Sequence, residues 1–157
     1  MIYAATITTA NTVTAANPQK TVVKVAKGLV YKFELEFPPG SLGNLFVAVF
    51  DGLYQVWPSS TGVWFSSDKN TIAFEDTYLK AIPPFEFNVY TYNTGDSWPH
   101  TCHVRIGLVT NDEFIARYLP AKSYEFMIRA LQDMEAQQRE AQGGVLESPF
   151  PWLSGGG

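Results

Sequence analysis

Two alternating runs within residues 85–108 constrain the fold of this chain more than any other feature. The first is Phe85–Tyr92, the second is Cys102–Leu108, and the turn-forming residues 93–99 lie between them. Each run has the two-residue period of a half-buried β-strand, and the second places Cys102 on its apolar face. The pattern predicts a long antiparallel hairpin at the centre of a β-sandwich, with Cys102 buried in the core.

Other short runs extend this pattern along the chain. Leu29–Phe37 alternates cleanly, Leu45–Phe50 is apolar on both faces as in a central strand, and Asp51-Gly52 is a strong hairpin turn. About eight short strands separated by turn residues are typical of an antiparallel sandwich. We therefore predict a mainly β protein, an antiparallel β-sandwich or jelly-roll-like domain followed by a C-terminal helix and an extended tail.

Composition changes divide the chain into four predicted segments. Residues 1–19 are rich in Thr and Ala and form an N-terminal arm, or else an edge strand that needs a partner. Residues 20–110 form the β-sandwich domain, 111–142 a helical segment, and 143–157 a tail rich in Pro, Gly and aromatic residues. Within the helical segment, a helix over 123–142 is expected to end at Gly143-Gly144.

Charge and hydropathy exclude several classes of protein. With charged residues at 17%, aromatic residues at 15% and a net charge of −4, the chain suits a compact domain and argues against nucleic acid as the main partner. No apolar stretch approaches the roughly 20 residues that span a bilayer, and residues 1–5 do not resemble a signal peptide. We expect no membrane insertion and synthesis in a cytoplasm.

Candidate catalytic and metal-binding residues are few. His100, Cys102 and His103 cluster, but on a strand His103 points away from the other two, whereas a zinc site needs about three convergent ligands. Glu34 and Glu36 form a carboxylate pair on the solvent side of an alternating strand. The glycines match no nucleotide-binding motif. The sequence therefore predicts no catalytic residues, no cofactor and no metal ion.

Four aromatic residues form a second candidate site. Tyr54, Trp57, Trp64 and Trp98 fall at predicted strand ends and in loops, where aromatic rings can stack on sugars or anchor a protein interface. The alternative interpretation is that most of these rings cap the core.

Apolar residues in the helix and the tail are the candidate assembly contacts. The helix carries a single apolar stripe at helical spacing that something must cover, and the tail concentrates large apolar side chains between prolines. The stripe comprises Tyr124, Met127, Ile128, Leu131 and Met134, and the tail residues are Phe150, Trp152 and Leu153. We expect the tail to dock into an apolar groove on its own subunit or on a neighbour; the alternative is a disordered tail.

Four stretches carry a resemblance to a known class of protein: Phe37-Pro38-Pro39-Gly40, Gln55-Val56-Trp57-Pro58, Pro83-Pro84-Phe85 and the run from Trp98 to Gly107. In the spacing of their strands and the placement of turn residues in their loops, residues 22–109 resemble the small β-sandwich virion structural proteins of bacteriophages. Such proteins build or decorate capsids, often as single jelly rolls. The resemblance implies a homo-oligomer that binds other virion proteins and resides in the virion after synthesis in the host cytoplasm.

Two other functions remain open at this stage. The exposed aromatics fit a carbohydrate-binding or adhesion module, which a defined glycan ligand would distinguish from a capsid component. A small hydrolase is a third hypothesis, against which the missing catalytic constellation argues.

Overall fold

The computed structural model describes residues 1–110, 112, 113, 116 and 121–147, with helix side chains described over 125–140. The chain divides into two units, Met1–Asn111 and Asp112–Gly157. The described helix of the second unit is α1 (Ala121–Glu147). The strands of the first unit are β1 (Ile2–Thr9), β2 (Gln19–Lys24), β3 (Gly28–Phe37), β4 (Leu45–Asp51), β5 (Tyr54–Trp57), β6 (Phe65–Ser66), β7 (Asn70–Lys80), β8 (Glu86–Asn93) and β9 (His100–Val109).

The strands form two antiparallel sheets that pack into a sandwich. The first sheet has the order β1-β9-β3-β7, and the second has the order β2-β8-β4-β5 with the short strand β6 also paired to β4. The pairs β1·β9, β2·β8, β3·β7 and β4·β5 are nested along the chain. This nesting is the strand order of a jelly roll, and it confirms the predicted mainly β sandwich with a C-terminal helix.

The core lies between the two sheets. It is formed by alternate residues of the strands, whose side chains point inward. Its largest members are the aromatic rings of Trp57, Phe33 and Phe87. The Trp57 ring is stacked on Phe33 at 4.9 Å between centroids and lies 5.4 Å from Phe87. Such pairs each contribute about 0.5–1.5 kcal/mol beyond the burial of their surface.

The predicted hairpin of residues 85–108 is wrong, although both of its strands exist. β8 pairs with β2 and β4 in the second sheet, whereas β9 pairs with β1 and β3 in the first. The two strands therefore lie in different sheets and do not exchange backbone hydrogen bonds. Alternation identifies which face of a strand is buried, but it carries no information about which strand lies beside it.

A β-bulge changes the alternation predicted for Leu29–Phe37. The register of β3 against both of its neighbours shifts between Val30 and Lys32. Val30 is fully buried and Leu29 only half-buried, the reverse of what strict alternation requires. The bulge inserts one extra residue, Tyr31, so that the inward face changes parity at that point.

The N-terminal residues form an edge strand, one of the two structures predicted for them, and this strand, β1 (Ile2–Thr9), pairs with β9. β7 runs unbroken from Asn70 to Lys80. The predicted end of the helix at Gly143-Gly144 is wrong, because both glycines lie inside α1, which continues to Glu147. Glycine lowers helix propensity by about 1 kcal/mol but does not forbid the helical conformation.

Candidate functional site

The outer face of the first sheet is charged and internally paired. Arg105 of β9 donates from Nη2 to Glu36 Oε2 at 2.7 Å, and its Nη1 lies 3.8 Å from Glu34 Oε2. Lys32 Nζ lies 2.7 Å from Glu34 Oε1. The hydrogen bond from Lys32 holds the pKa of Glu34 below its ordinary value, and the same contact raises the pKa of Lys32. We call these four residues the charged face.

The charged face is suited to contact with water. Its two carboxylates, Glu34 and Glu36, share one guanidinium, and the lowered pKa of Glu34 does not suit this carboxyl to act as a proton donor. The cavity beside them holds about 50 Å³, enough for little more than water. A glycosidase needs two carboxyls in a cleft that admits a sugar ring. The geometry matches the prediction of a solvated face for this pair.

The outer face of the second sheet is aromatic. Phe46 of β4 stacks on Tyr92 of β8 at 4.6 Å between ring centroids, with planes 5° apart. Phe50 meets Tyr90 edge to face at 5.1 Å, and Trp64 meets Tyr92 in the same way at 4.8 Å. All five rings are half-buried in the chain. We call this set the aromatic face: Phe46, Phe50, Trp64, Tyr90 and Tyr92.

Strand register explains why these rings meet. Leu45, Val47 and Val49 enter the core, so the alternate residues of β4 point outward. Phe46 lies opposite Tyr92 in the β4·β8 ladder, and the small residue Ala48 lies opposite Tyr90. Cross-strand aromatic pairs of this kind stabilise a sheet by roughly 0.2–1 kcal/mol each.

Trp64 reaches the aromatic face through a loop anchored by Gln55. The buried Gln55 side chain donates from Nε2 to the carbonyls of Pro58 and Val63 at 2.8 and 2.7 Å. Its Oε1 accepts the backbone N–H of Gly62 at 3.0 Å. One side chain thus fixes the whole connection from β5 to β6, and with it the position of Trp64.

A groove of about 190 Å³ opens on the aromatic face, lined by Pro18, Phe50, Gly52, Leu53, Trp64 and Tyr90. Sites for drug-sized ligands typically enclose about 300–1,000 Å³. The groove therefore suits a single ring, either an aromatic or aliphatic side chain of a partner or one sugar unit. Leu53 stands at its rim with 99% of its surface exposed.

A buried polar atom without a partner lies beside this groove. Asn88 alternates with the core residues Phe87 and Val89 and so takes the outward side of β8, opposite Phe50. It is 6% exposed, and within the described part of the chain its Oδ1 accepts no hydrogen bond. An unsatisfied buried acceptor costs about 1–3 kcal/mol.

The four aromatic residues predicted from the sequence do not form one site. Trp57 is 2% exposed in the core, where its Nε1 donates to Asp76 Oδ2 at 2.7 Å, so its assignment to an exposed binding surface is wrong. Tyr54 and Trp98 are exposed, at 63% and 73%. Trp64 alone joins the aromatic face. The outward rings of β4 and β8 were not predicted as a site, because the sequence does not show that these two strands are neighbours.

The cluster His100, Cys102 and His103 is divided between the two sides of the first sheet. Cys102 is fully buried in the core, as predicted, and burial raises the pKa of its thiol to about 12. His103 Nδ1 lies 3.0 Å from Thr6 Oγ1 on the outer side. In the residues that the structure describes, no group of three or more His, Cys, Asp or Glu side chains is placed to hold a metal ion.

Buried Lys80 and half-buried Asp51 and Tyr78 form a polar cluster that was not predicted from the sequence. Lys80 Nζ lies 2.5 Å from Asp51 Oδ1, and Tyr78 donates its hydroxyl to Asp51 Oδ2 at 2.9 Å. Burial, and then the bond to Asp51, raise the pKa of Tyr78 to about 12. The contacts join β7 of the first sheet to β4 of the second. Continuing the alternation of β7 to Lys80 would have placed its side chain inward.

The predicted assembly residues of the second unit are only partly described. Leu131 lies on α1 with 54% of its surface exposed, and Met127, Ile128 and Met134 are exposed as well. The side chain of Tyr124 lies outside the described residues, as do Phe150, Trp152 and Leu153. Among the helices that the structure describes, none is both long enough and apolar enough to cross a membrane.

Comparison with known proteins found no matching family model, no matching curated protein and no matching solved structure. The geometry of the two outer faces is therefore the basis for assigning a function.

Proposed function

We propose that this protein is a non-enzymatic virion structural protein, a capsid or capsid-decoration component that assembles as a symmetric oligomer with itself and with other virion proteins. The observation that carries the proposal is the aromatic face. An antiparallel sandwich normally presents polar side chains to water on its outer faces, as the charged face does here. Five aromatic rings on the opposite outer face, with Leu53 fully exposed beside them, mark a surface that a partner covers.

The fold and the resemblance to phage virion proteins support the same function. Jelly rolls build viral capsid domains, but lectins and cupins use them too, so the strand order alone does not decide between these classes. Two of the candidate reactive sites are unsuited to catalysis: the Glu34–Glu36 pair is bound to Arg105, and the Cys102 thiol is buried with a raised pKa. A structural role accounts for both observations.

The test is the mass of the full chain in solution by light scattering, together with the Leu53→Arg variant. Because Leu53 is 99% exposed in the chain, the substitution should leave folding unchanged and reduce association only where the aromatic face is an interface. Ile82→Arg is the matched control, since Ile82 is also an exposed apolar residue, at 75%, outside the aromatic face. A monomeric wild type, or equal effects of the two substitutions, would contradict the proposal.

The genomic position of the coding sequence provides a separate test of the virion role. We expect the neighbouring genes to encode capsid components. If the protein forms a stable oligomer but all the neighbouring genes encode metabolic enzymes, the proposed assembly surface would be supported and the virion role would be rejected.

Carbohydrate binding is the second candidate, because the groove on the aromatic face is lined by Trp64, Tyr90 and Phe50. Aromatic faces stack on the apolar side of sugar rings, and the groove has room for about one ring. A glycan array separates the two functions: a carbohydrate-binding module should bind a defined sugar and lose it in Trp64→Ala, whereas a capsid component should bind none.

A further inference from the structure

The helix α1 carries an apolar stripe, here called the seam, whose described side chains are exposed. Over residues 125–140 every described side chain is exposed except the half-buried Ala130. Met127, Leu131 and Met134 are 39%, 54% and 58% exposed. Isolated helices owe little stability to propensity alone and are held by the burial of an apolar face. A 27-residue helix with such a stripe therefore calls for a partner.

The spacing of the seam identifies the kind of partner. Beginning at Tyr124, the seam residues follow one another at alternating steps of three and four. They are Tyr124, Met127, Leu131, Met134, Gln138, Ala141 and Val145. Repeats of this form average 3.5 residues and keep one face of a helix against another helix through a left-handed supercoil. The a positions of this heptad are 124, 131, 138 and 145, and the d positions are 127, 134 and 141.

The charges on α1 are compatible with an identical partner. Glu125, Arg129, Asp133, Arg139 and Glu140 fall at the b, c and f positions, away from the seam. Among the seam-flanking e and g positions of the described side chains, only Glu135 is charged. In a parallel pair, e135 of one copy faces g130 of the other, which is an alanine, so the two helices meet without like-charge repulsion.

We propose that α1 associates with α1 of a second copy of this chain as a parallel coiled coil. At 1.5 Å per residue the helix is about 40 Å long, and the repeat from Tyr124 to Val145 covers about three heptads, the shortest length at which such a repeat argues for a coiled coil. Gln138 occupies an a position, where a polar residue fixes register and oligomer number at some cost in stability. Gly143 and Gly144 fall at f and g and leave the a and d positions free of glycine. The inference rests on the symmetric assembly proposed above and identifies one of its interfaces.

Sedimentation equilibrium of the full chain tests the seam. Leu131→Glu should weaken self-association on the order of 100-fold, because it places a charge where two apolar side chains meet. Gln132→Glu, one residue along at a b position, introduces the same charge off the seam and should leave association unchanged. Equal association in the two variants would overturn the proposal. The thermal melt of the sandwich shows whether each variant remains folded.

Crosslinking tests the parallel register. In a Cys102→Ala background, Gln138→Cys should form a disulfide between copies on mild oxidation, because equivalent a positions adjoin across a parallel seam. Arg139→Cys, at a b position, should not. Failure of the first crosslink, or equal crosslinking of both, would overturn the parallel pairing. If Leu53→Arg abolishes assembly while Leu131→Glu does not, the proposed function is supported and the coiled-coil proposal is rejected.

Discussion

Alternation alone was enough to predict that the Cys102 side chain is buried. It lies opposite Ile7 in the β1·β9 register and faces the core with Val104 and Ile106. The thiol is fully buried, and its raised pKa of about 12 follows from burial. A neutral thiol in apolar surroundings is a poor nucleophile, so Cys102 acts as a small core residue.

The buried thiol predicts a specific dependence of stability on pH. In the unfolded chain Cys102 ionises near 8.5, whereas in the folded chain it stays protonated up to about 12. Between these values the folded state binds more protons, so the free energy of unfolding falls as pH rises, by at most about 1.4 kcal/mol per pH unit. Urea denaturation at pH 8, 9 and 10 should show this decline, and Cys102→Ala should flatten it. An equal decline in both proteins would contradict the prediction.

Thiol labelling provides an independent check on the same residue. A maleimide or disulfide reagent should react slowly with the native protein and rapidly after unfolding in urea. Cys102→Ala should cost about 1 kcal/mol, a typical mutational loss, and should not change the oligomeric state. Rapid labelling under native conditions would rule out the core position.

The Asp51–Lys80 pair yields a prediction about the junction of the two sheets. Lys80 is 3% exposed, so Asp51→Asn leaves a buried ammonium without its counter-charge and should cost about 3 kcal/mol of unfolding free energy. Lys80→Met keeps the aliphatic stem and should cost less. The double variant should recover part of the loss, because the two groups are coupled. Additive single effects in denaturant titrations would mean that the pair is not coupled.

At the scale of the element, the sequence predicted which face of a strand is buried better than it predicted which strands pair. Period-two alternation correctly placed Cys102, Val104 and Ile106 in the core, since the pleat imposes it on any strand. It could not assign β8 and β9 to separate sheets, because pairing is decided by the whole set of strands. It missed the β3 bulge, because a bulge depends on the register of neighbouring strands. The same limit hid the aromatic face, because its rings meet only through the pairing of β4 with β8 and through the loop that carries Trp64.

Two glycines at strand contacts give a prediction at this scale. A Cβ on Gly28 would lie 2.5 Å from the backbone oxygen of Val109, which cannot move without disturbing β9. A Cβ on Gly107 would lie 2.7 Å from the Tyr31 ring, a side chain at the bulge that can rotate away. Gly28→Ala should therefore destabilise the sandwich by about 1–3 kcal/mol or more, and Gly107→Ala by less. Thermal melts of the two variants check the order, and the reverse order would refute the rigid contact at Gly28.

At the scale of the whole molecule, the jelly roll has two unlike outer faces. On the charged face, Arg105 ties Glu36 and Glu34 together and the side chains are suited to water. The aromatic face stacks Phe46 on Tyr92 and opens a groove of about 190 Å³ beside Leu53. In the assembly that we propose, the charged face would stay in contact with water and a partner would cover the aromatic face. The sequence indicates assembly through the terminal segments, and the aromatic face adds a candidate surface on the sandwich itself.

The tail yields the last prediction, which stands on the sequence because residues beyond Glu147 lie outside the described part of the chain. Beyond Glu147 it carries the large apolar residues Phe150, Trp152 and Leu153. Burying each large side chain is worth about 1.5–3 kcal/mol, and Pro149 and Pro151 lower the entropy lost when the segment docks. We expect a chain truncated after Gly144 to lose mass in light scattering, melting temperature, or both.

A second truncation, after Glu147, separates the tail from the helix because it keeps α1 whole. If the tail is an assembly clasp, both truncations should lower the oligomer mass, and Phe150→Ser with Trp152→Ser in the full chain should reproduce the effect. If only the truncation after Gly144 has an effect, the loss belongs to the helix seam, from which it removes Val145. Unchanged mass and unchanged melting temperature in both truncations would mean that the tail is idle, and assembly would then rest on the aromatic face and α1 alone.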